Sequence, residues 1–264
     1  MTSASQLLEQ IWQRPDDRQL LSVYADLLAT TGETTRAEYM QLSLMPELSA
    51  AQEKRLGSLR KRHRGAWLGP ARRFVWTWEE SEETPGFVDR VQCSMANLVK
   101  GFELVRALGP RLRVNVTEPT AKRDVVALSK HPLGTLYGLE LHEADAQWIT
   151  DDLLVTLSAS LRGLRSLTLY AGEARSSDRG WGALLPHLDG LEDLEVMMGE
   201  NPERWLEMLL DSSLVRSLRR LSVPGWIPKT LRGRITKALR ACELEFRDER
   251  RSPYNRATGY YESY

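Results

Sequence analysis

At 264 residues, with 42% hydrophobic and 27% charged side chains, the chain has the composition of a protein that buries a real core, in one large domain or two small ones. Its 36 basic residues balance 36 acidic ones, so no global field draws it to nucleic acid or to an anionic membrane. Two cysteines, Cys93 and Cys242, are too few for a disulfide-stapled secreted fold; the start MTSASQLLEQIWQRPDD lacks the pattern of a secretory signal, and no run approaches 18 apolar residues. These totals predict a cytoplasmic protein with no membrane association; a monomer when free is expected, although nothing in the totals bears on it.

The first predicted elements are four short helices over residues 5–66. Leu7, Leu8, Ile11 and Trp12 make one stripe, ended by Pro15. Asp16 and Asp17 open a second helix carrying Leu20, Leu21, Tyr24, Leu27 and Leu28, which Gly32 ends. A third carries Ala37, Met40, Leu42 and Leu44 up to Pro46, and a fourth, from about Ser49 to Trp67, carries Leu56 and Leu59. Together they predict a small bundle over residues 1–70.

The words of this region, LLEQIWQRPDDRQLLSVYADLLATTGETTRAEYMQLSL, resemble the bacterial repeat-companion domain. The matching residues are Pro15, Asp16, Asp17, Val23 to Asp26, Gly32, Arg36 to Glu38, Gln41 and Leu42, about 45 residues in span. WLGP at Trp67 to Pro70 and GFVDRV at Phe87 to Val91 look like later landmarks of the same proteins. The resemblance implies bacterial origin, among myxobacteria or planctomycetes, and a module placed ahead of degenerate leucine-rich repeats. It brings no activity with it.

Residues 71–93 alternate. Phe74, Trp76 and Trp78 predict one strand, an acidic loop with Pro85 and Gly86 turns the chain, and Phe87 to Cys93 predict a second. We expect this strand pair to cap the first unit of a repeat.

The repeat occupies most of the remaining chain. Leu133, Leu136, Leu139 and Leu141 spell L-x-x-L-x-x-L-x-L. The pattern returns 28 residues later from Leu161, 27 later from Leu188, and 27 later again from Val215. Leu112 with Val114 precede the series, and Leu244 with Phe246 close it. Each L-x-L end predicts a short strand; each intervening stretch predicts an amphipathic return helix, as with Ile149, Leu153, Leu154 and Leu157, or Trp205, Leu206, Leu209 and Leu210. One unit can bury its apolar face only against its neighbours, so the units must stack. This arrangement resembles leucine-rich repeats of the ribonuclease-inhibitor-like kind over roughly residues 88–247. The resemblance implies an α/β fold: the helical bundle followed by a solenoid with a parallel sheet on its concave side, over residues 94–247. The family's asparagine ladder is missing, since its places hold Ala144, Gly172, Gly199 and Trp226, which predicts irregular turns. Residues 248–264 are polar and aperiodic, expected to be disordered or draped on the surface.

Chemistry is sparse. His63, His131, His142 and His187 lack metal-ligand spacing, and phosphate-binding or nucleophile-elbow motifs do not occur, so no catalytic residue, metal or cofactor is predicted. Cys93 and Cys242 read as core thiols. Tyr24 reads as packed in the bundle and Asp26 as a structural partner of Arg36. The candidate partner-binding residues are the outward strand side chains: Arg113, Asn115, Glu140, His142, Thr168, Tyr170, Glu195, Met197, Ser222, Glu245 and Arg247. They predict a mixed surface with an acidic middle and arginine at both ends, suited to an unidentified protein partner. The expected function is a non-catalytic interaction module, one version being a neutraliser of a toxin or enzyme. The alternative is a nucleic-acid-associated regulator using the basic helix at residues 54–73, with Arg60, Lys61, Arg62 and Arg64 on phosphates.

Overall fold

A computed structural model of the chain describes residues 4–81, 83–117, 121–142, 148–171, 177–198, 202–247, 254–255 and 260–261. It is a mixed α/β structure divided into two compact units, one of Met1–Gln92 with Gly101–Leu112, the other of Cys93–Lys100 with Arg113–Tyr264.

In the first unit, α1 (Ala4–Gln13), α2 (Arg18–Thr30), α3 (Thr34–Ser43) and α4 (Ala50–His63) pack one on the next in chain order. Leu7, Ile11, Leu21, Tyr24, Ala25, Leu28, Ala37, Met40 and Phe87 share one apolar core. Asp17 starts α2 by accepting from the backbone amides of Gln19 and Leu20 at 3.1 and 3.2 Å, which satisfies two donors the helix cannot. Tyr24 packs as expected, stacked on Phe87 at 5.5 Å. Asp26 does not pair with Arg36: it accepts from Gln41 at 2.8 Å, while Arg36 donates to the Gly86 carbonyl at 3.0 Å and lies near Glu33.

Two boundaries differ from the sequence reading. The fourth helix stops at His63, and residues Arg64–Phe74 follow a 3-10 path broken at Gly69, whose φ of 49° interrupts the helical backbone. The first strand, β1, is Thr77–Glu80 and does not include Phe74. Phe74 is buried at the end of that 3-10 stretch while Trp76 is 45% exposed, so the aromatic alternation does not mark one strand face. β1 pairs antiparallel with β2 (Val88–Cys93), Trp78 opposite Val91. Arg111, from the end of this unit, holds both Asp16 and Glu83. Helix α5 (Met95–Arg106) follows β2.

The second unit carries six strands: β3 (Arg113–Val116), β4 (Gly138–His142), β5 (Ser166–Ala171), β6 (Asp193–Met198), β7 (Arg220–Pro224) and β8 (Glu243–Arg247). They lie in sequence order and every neighbouring pair is parallel. Five helices alternate with them: α6 (Lys122–Leu128), α7 (Asp151–Leu157), α8 (Asp178–Leu184), α9 (Pro202–Leu210) and α10 (Lys229–Ala238). The register places Val114, Leu139, Leu167, Leu194, Leu221 and Leu244 in one row, and Val116, Leu141, Leu169, Val196, Val223 and Phe246 in a second. In both rows every member before β8 is at most 1% exposed. The repeated leucines of the sequence are therefore one continuous apolar face.

The period also appears in the polar contacts. The amides of Arg165 and Ser166 both donate to the Tyr137 carbonyl, those of Glu192 and Asp193 to Arg165, and those of Arg219 and Arg220 to Glu192. The same forked turn thus recurs at three successive strand entrances. Gly163 and Gly190 occupy one position of successive units with φ of 98° and 86°, a left-handed conformation that a side chain disfavours. On the helical side Asp152 meets Arg179 at 3.1 Å, Glu207 meets Arg234 at 2.8 Å, and Asp178 pairs with Arg204, each about one period apart. Such exposed pairs contribute little individually. The Trp181 and Trp205 rings, buried and stacked at 4.7 Å, tie α8 to α9 far more strongly.

Thr150 and Ser177 cap α7 and α8, and acidic residues stand in the first turns of α7 and α9 at Asp151, Asp152 and Glu203. Of the places where an asparagine ladder is missing, 144, 172 and 199 lie outside the described residues; Trp226 is 43% exposed. The expectation for residues 248–264 also falls outside them, except that β9 (Tyr254–Asn255) and β10 (Tyr260–Tyr261) pair antiparallel.

Candidate functional site

The polar face of the six parallel strands is built by the alternation that builds the apolar one. Its middle row reads Asn115, Glu140, Thr168, Glu195, Ser222 and Glu245 from β3 to β8. Carboxylates alternate with short neutral groups, which keeps like charges two strands apart, roughly 10 Å. The row toward the strand starts holds Arg113, Gly138, Ser166, Asp193, Arg220 and Glu243. Toward the strand ends lie His142, Tyr170 and Met197 in one register, and Pro224 beside Arg247.

All the outward residues expected from the sequence lie on this face. The surface they form is not the open one expected. Asn115, Glu140, His142, Thr168, Met197 and Ser222 are buried, with Glu140 at 4% and His142 at 3% exposure. Arg113, Tyr170, Glu195 and Arg247 are half-buried, and only Glu245 is exposed. The physical reason is that alternation tells which side of a sheet a residue takes, and says nothing of what lies above it.

The cluster has definite electrostatics. His142 Nε2 sits 3.7 Å from Glu140 Oε2, and its ring stacks on Tyr170 at 5.6 Å. Arg247 pairs with Glu195 and holds Glu245 at 2.9 Å. Burial pushes the Glu195 carboxyl up, against the pull of Arg247 and His142. Glu245 is held below the usual range by its hydrogen bond from Arg247. Arg113 lies 3.8 Å from Asp193 and over the Tyr137 ring. Asp193, Arg220 and Glu243 were missed as members of this face, although the two-residue period extends to them. Asn115 Oδ1 is buried with no hydrogen-bond partner among the described residues.

The alternative site is dispersed. Arg60 donates to Glu80 at 3.1 Å, whose side chain is 1% exposed, and Arg55 makes a two-pronged pair with Glu38 at 2.7 and 2.6 Å. Lys61 and Arg62 are exposed; the side chain of Arg64 is outside the described set. Two of the helix's cations are thus bound to acids of the same unit rather than arrayed for phosphates. The first unit also contains an open cleft of about 590 Å³ where the Gly32 turn and the Trp67–Pro70 segment meet beside Leu104. Its guanidinium, Arg36, is already engaged with Gly86 and lies over the Phe87 ring.

Neither thiol suits nucleophilic chemistry. Burial pushes Cys93 up to about 12, and Cys242 is raised to about 11 by burial and the nearby Glu243 and Asp193. No His, Cys, Asp and Glu cluster able to hold a metal occurs among the described residues, and none of their helices is long and apolar enough to cross a membrane. Comparison with protein-family models gives no match, and comparison with curated proteins gives none.

Proposed function

We propose that the chain is a cytoplasmic, non-catalytic protein-interaction module of bacterial origin. In this reading a repeat-companion module precedes degenerate leucine-rich repeats, and the outward face of the parallel strands is the concave face of a solenoid that binds one partner protein. The single observation that carries it is the ordered polar face on a continuous apolar ladder: six strands in one register present Tyr170, Met197 and three arginines beside alternating carboxylates. Tyrosine, methionine and arginine are favoured where proteins bury surface against each other. A rigid array of this kind could blanket an enzyme's active site, which suits a neutraliser of a toxin or enzyme. The pairing of Arg60 with Glu80 and of Arg55 with Glu38 weighs against the nucleic-acid reading.

The test is affinity capture from nuclease-treated lysate of the source cells, with Tyr170→Ala combined with Glu245→Lys as the comparison. Both side chains retain accessible surface, and a urea unfolding curve of the variant checks that losing the Tyr170 stack on His142 and the Glu245 pair with Arg247 leaves the chain folded. The variant is expected to bind the partner at least about tenfold more weakly, or about 1.4 kcal/mol. Equal capture would remove this face from the account.

A further inference from the structure

The chain is neutral as a whole, but its charge is not evenly spread. Between positions 212 and 242 it carries eight basic side chains and no acidic one. This stretch holds β7 and α10, both in the second unit. A helix face that only meets water mixes its signs, as α8 does with Asp178 and Arg179 and α9 with Glu203, Arg204 and Glu207. α7, α8 and α9 each carry an acid in the first turn, which suits the positive end of the helix dipole. α10 opens on Lys229 with no acid in that turn, so this cation works against its own helix.

α10 buries Leu231 and Ile235 and leaves its other side exposed. Lys229, Gly233 and Lys237 are spaced by four and form one exposed stripe, the backbones of the two lysines roughly 12 Å apart along the axis. A Cβ on Gly233 would meet nothing within 4 Å, so packing does not require this glycine, and it leaves the helix backbone open between two cations. Arg216 and Arg240 are exposed in the turns that enter the neighbouring strands β7 and β8. Other cations are committed: Arg234 to Glu207 at 2.8 Å, Arg219 to Glu192 at 3.7 Å, and Arg232 over the Phe246 ring. Lys229, Lys237, Arg216 and Arg240 make no ion pair among the described residues. Trp226, three residues before Lys229, is 43% exposed.

We propose that the exposed side of α10, with Arg216, Arg240 and Trp226, binds single-stranded nucleic acid. Phosphodiesters supply a row of negative charge to cations that have no acid of their own. The Trp226 ring offers a stacking surface for an unpaired base, which a closed duplex does not present. A lipid surface would take large apolar side chains beside the cations, whereas the exposed residues of α10 other than its cations are Thr230, Gly233, Thr236 and Ala238. The site shares no residue with the outward strand face. Nucleic acid here and a protein there can therefore be held together, and either reading can fail without the other.

The test is fluorescence anisotropy of the full chain with labelled single strands of about 20 nucleotides, RNA and DNA, and with a duplex of the same length. With four phosphate contacts, single-strand affinity should fall roughly fifty-fold between about 50 and 200 mM salt. Lys229→Glu, Lys237→Glu, Arg240→Glu should weaken binding at least about tenfold and flatten that salt dependence. Trp226→Ala should weaken it about fivefold or more and leave the salt dependence unchanged. Tyr170→Ala with Glu245→Lys should bind the strand as the natural chain does. Tighter binding of one of the two strands identifies its source, and either supports the site. No binding at the lower salt, equal binding by the triple variant, or loss only on replacing Arg60, Lys61, Arg62 and Arg64 would overturn the proposal. So would equal affinity for the duplex, for phosphatidylglycerol vesicles or for a polyglutamate peptide. Should the triple variant fail to fold, Lys229→Ala with Lys237→Ala is read in the same way.

Discussion

Arg247, on the last parallel strand, reaches past β7 to pair with Glu195 on β6, and the same guanidinium holds Glu245. One cation thus serves two carboxylates whose surroundings differ. Glu195 is mostly buried and its pKa is raised; Glu245 is exposed and its pKa is lowered. The folded chain binds the Glu195 proton more tightly than the unfolded chain does. The stability this gives is present below the unfolded value of about 4.3 and is lost as pH rises through the folded value. Glu245 acts oppositely, its contribution being lost as pH falls through its lowered folded value. Urea midpoints should therefore show Glu195→Gln gaining on the natural chain as pH rises above about 4.3, and Glu245→Gln gaining as pH falls below about 4.3. A common direction for both would contradict the assignment.

The stacked Trp181 and Trp205 predict coupling between adjacent units. Either tryptophan changed to alanine should cost about 3–5 kcal/mol, the range for large buried aromatics. A double-mutant cycle should leave an interaction energy of about 0.5–1.5 kcal/mol. Additive losses would mean that the two rings only fill space.

Two glycines should answer in opposite directions. A Cβ on Gly134 would come within 1.8 Å of the Arg162 carbonyl oxygen, backbone that cannot swing away. Gly134→Ala should destabilise by about 1–3 kcal/mol. Gly57 lies inside α4 with open space around it, so Gly57→Ala should stabilise by about 0.5–1 kcal/mol. Thermal unfolding of both variants checks the pair.

Arg60 is half-exposed but Glu80 is not. Burial and the Glu80 carboxylate together push the Tyr39 phenol up, so that neighbour cannot supply the charge Arg60 does. Removing Arg60 would leave a buried carboxylate without its cation. Arg60→Ala should cost about 1–3 kcal/mol, and Glu80→Gln added to it should recover part of that. If Arg60→Ala is neutral to stability, the pair is not structural and the helix regains its claim as a phosphate-binding surface.

The repeat was legible because it rests on side-chain periods. Leu139, Leu167, Leu194 and Leu221 stand in one register because a two-residue strand period and a 27–28-residue return leave them no other face. The same periods identified the residues of the polar face. They could not reveal that Glu140 and His142 are buried, since alternation fixes the side of the sheet a residue takes and not what lies above it. Locally, Phe74 misled because aromatic alternation looks alike in a strand and in a 3-10 stretch that drives one ring into a core. Asp26 misled because the partner of a surface carboxylate is fixed by helix packing, which set Gln41 beside it instead of Arg36.

The central claim is that the outward strand face recognises a protein. Capture from source-cell lysate, with and without nuclease, using the natural chain and the Tyr170→Ala, Glu245→Lys variant, tests it most directly. The predicted result is one stoichiometric protein that survives nuclease and is lost or sharply reduced in the variant. Capture that collapses on nuclease treatment, or that is lost only on replacing Arg60, Lys61, Arg62 and Arg64, would contradict it.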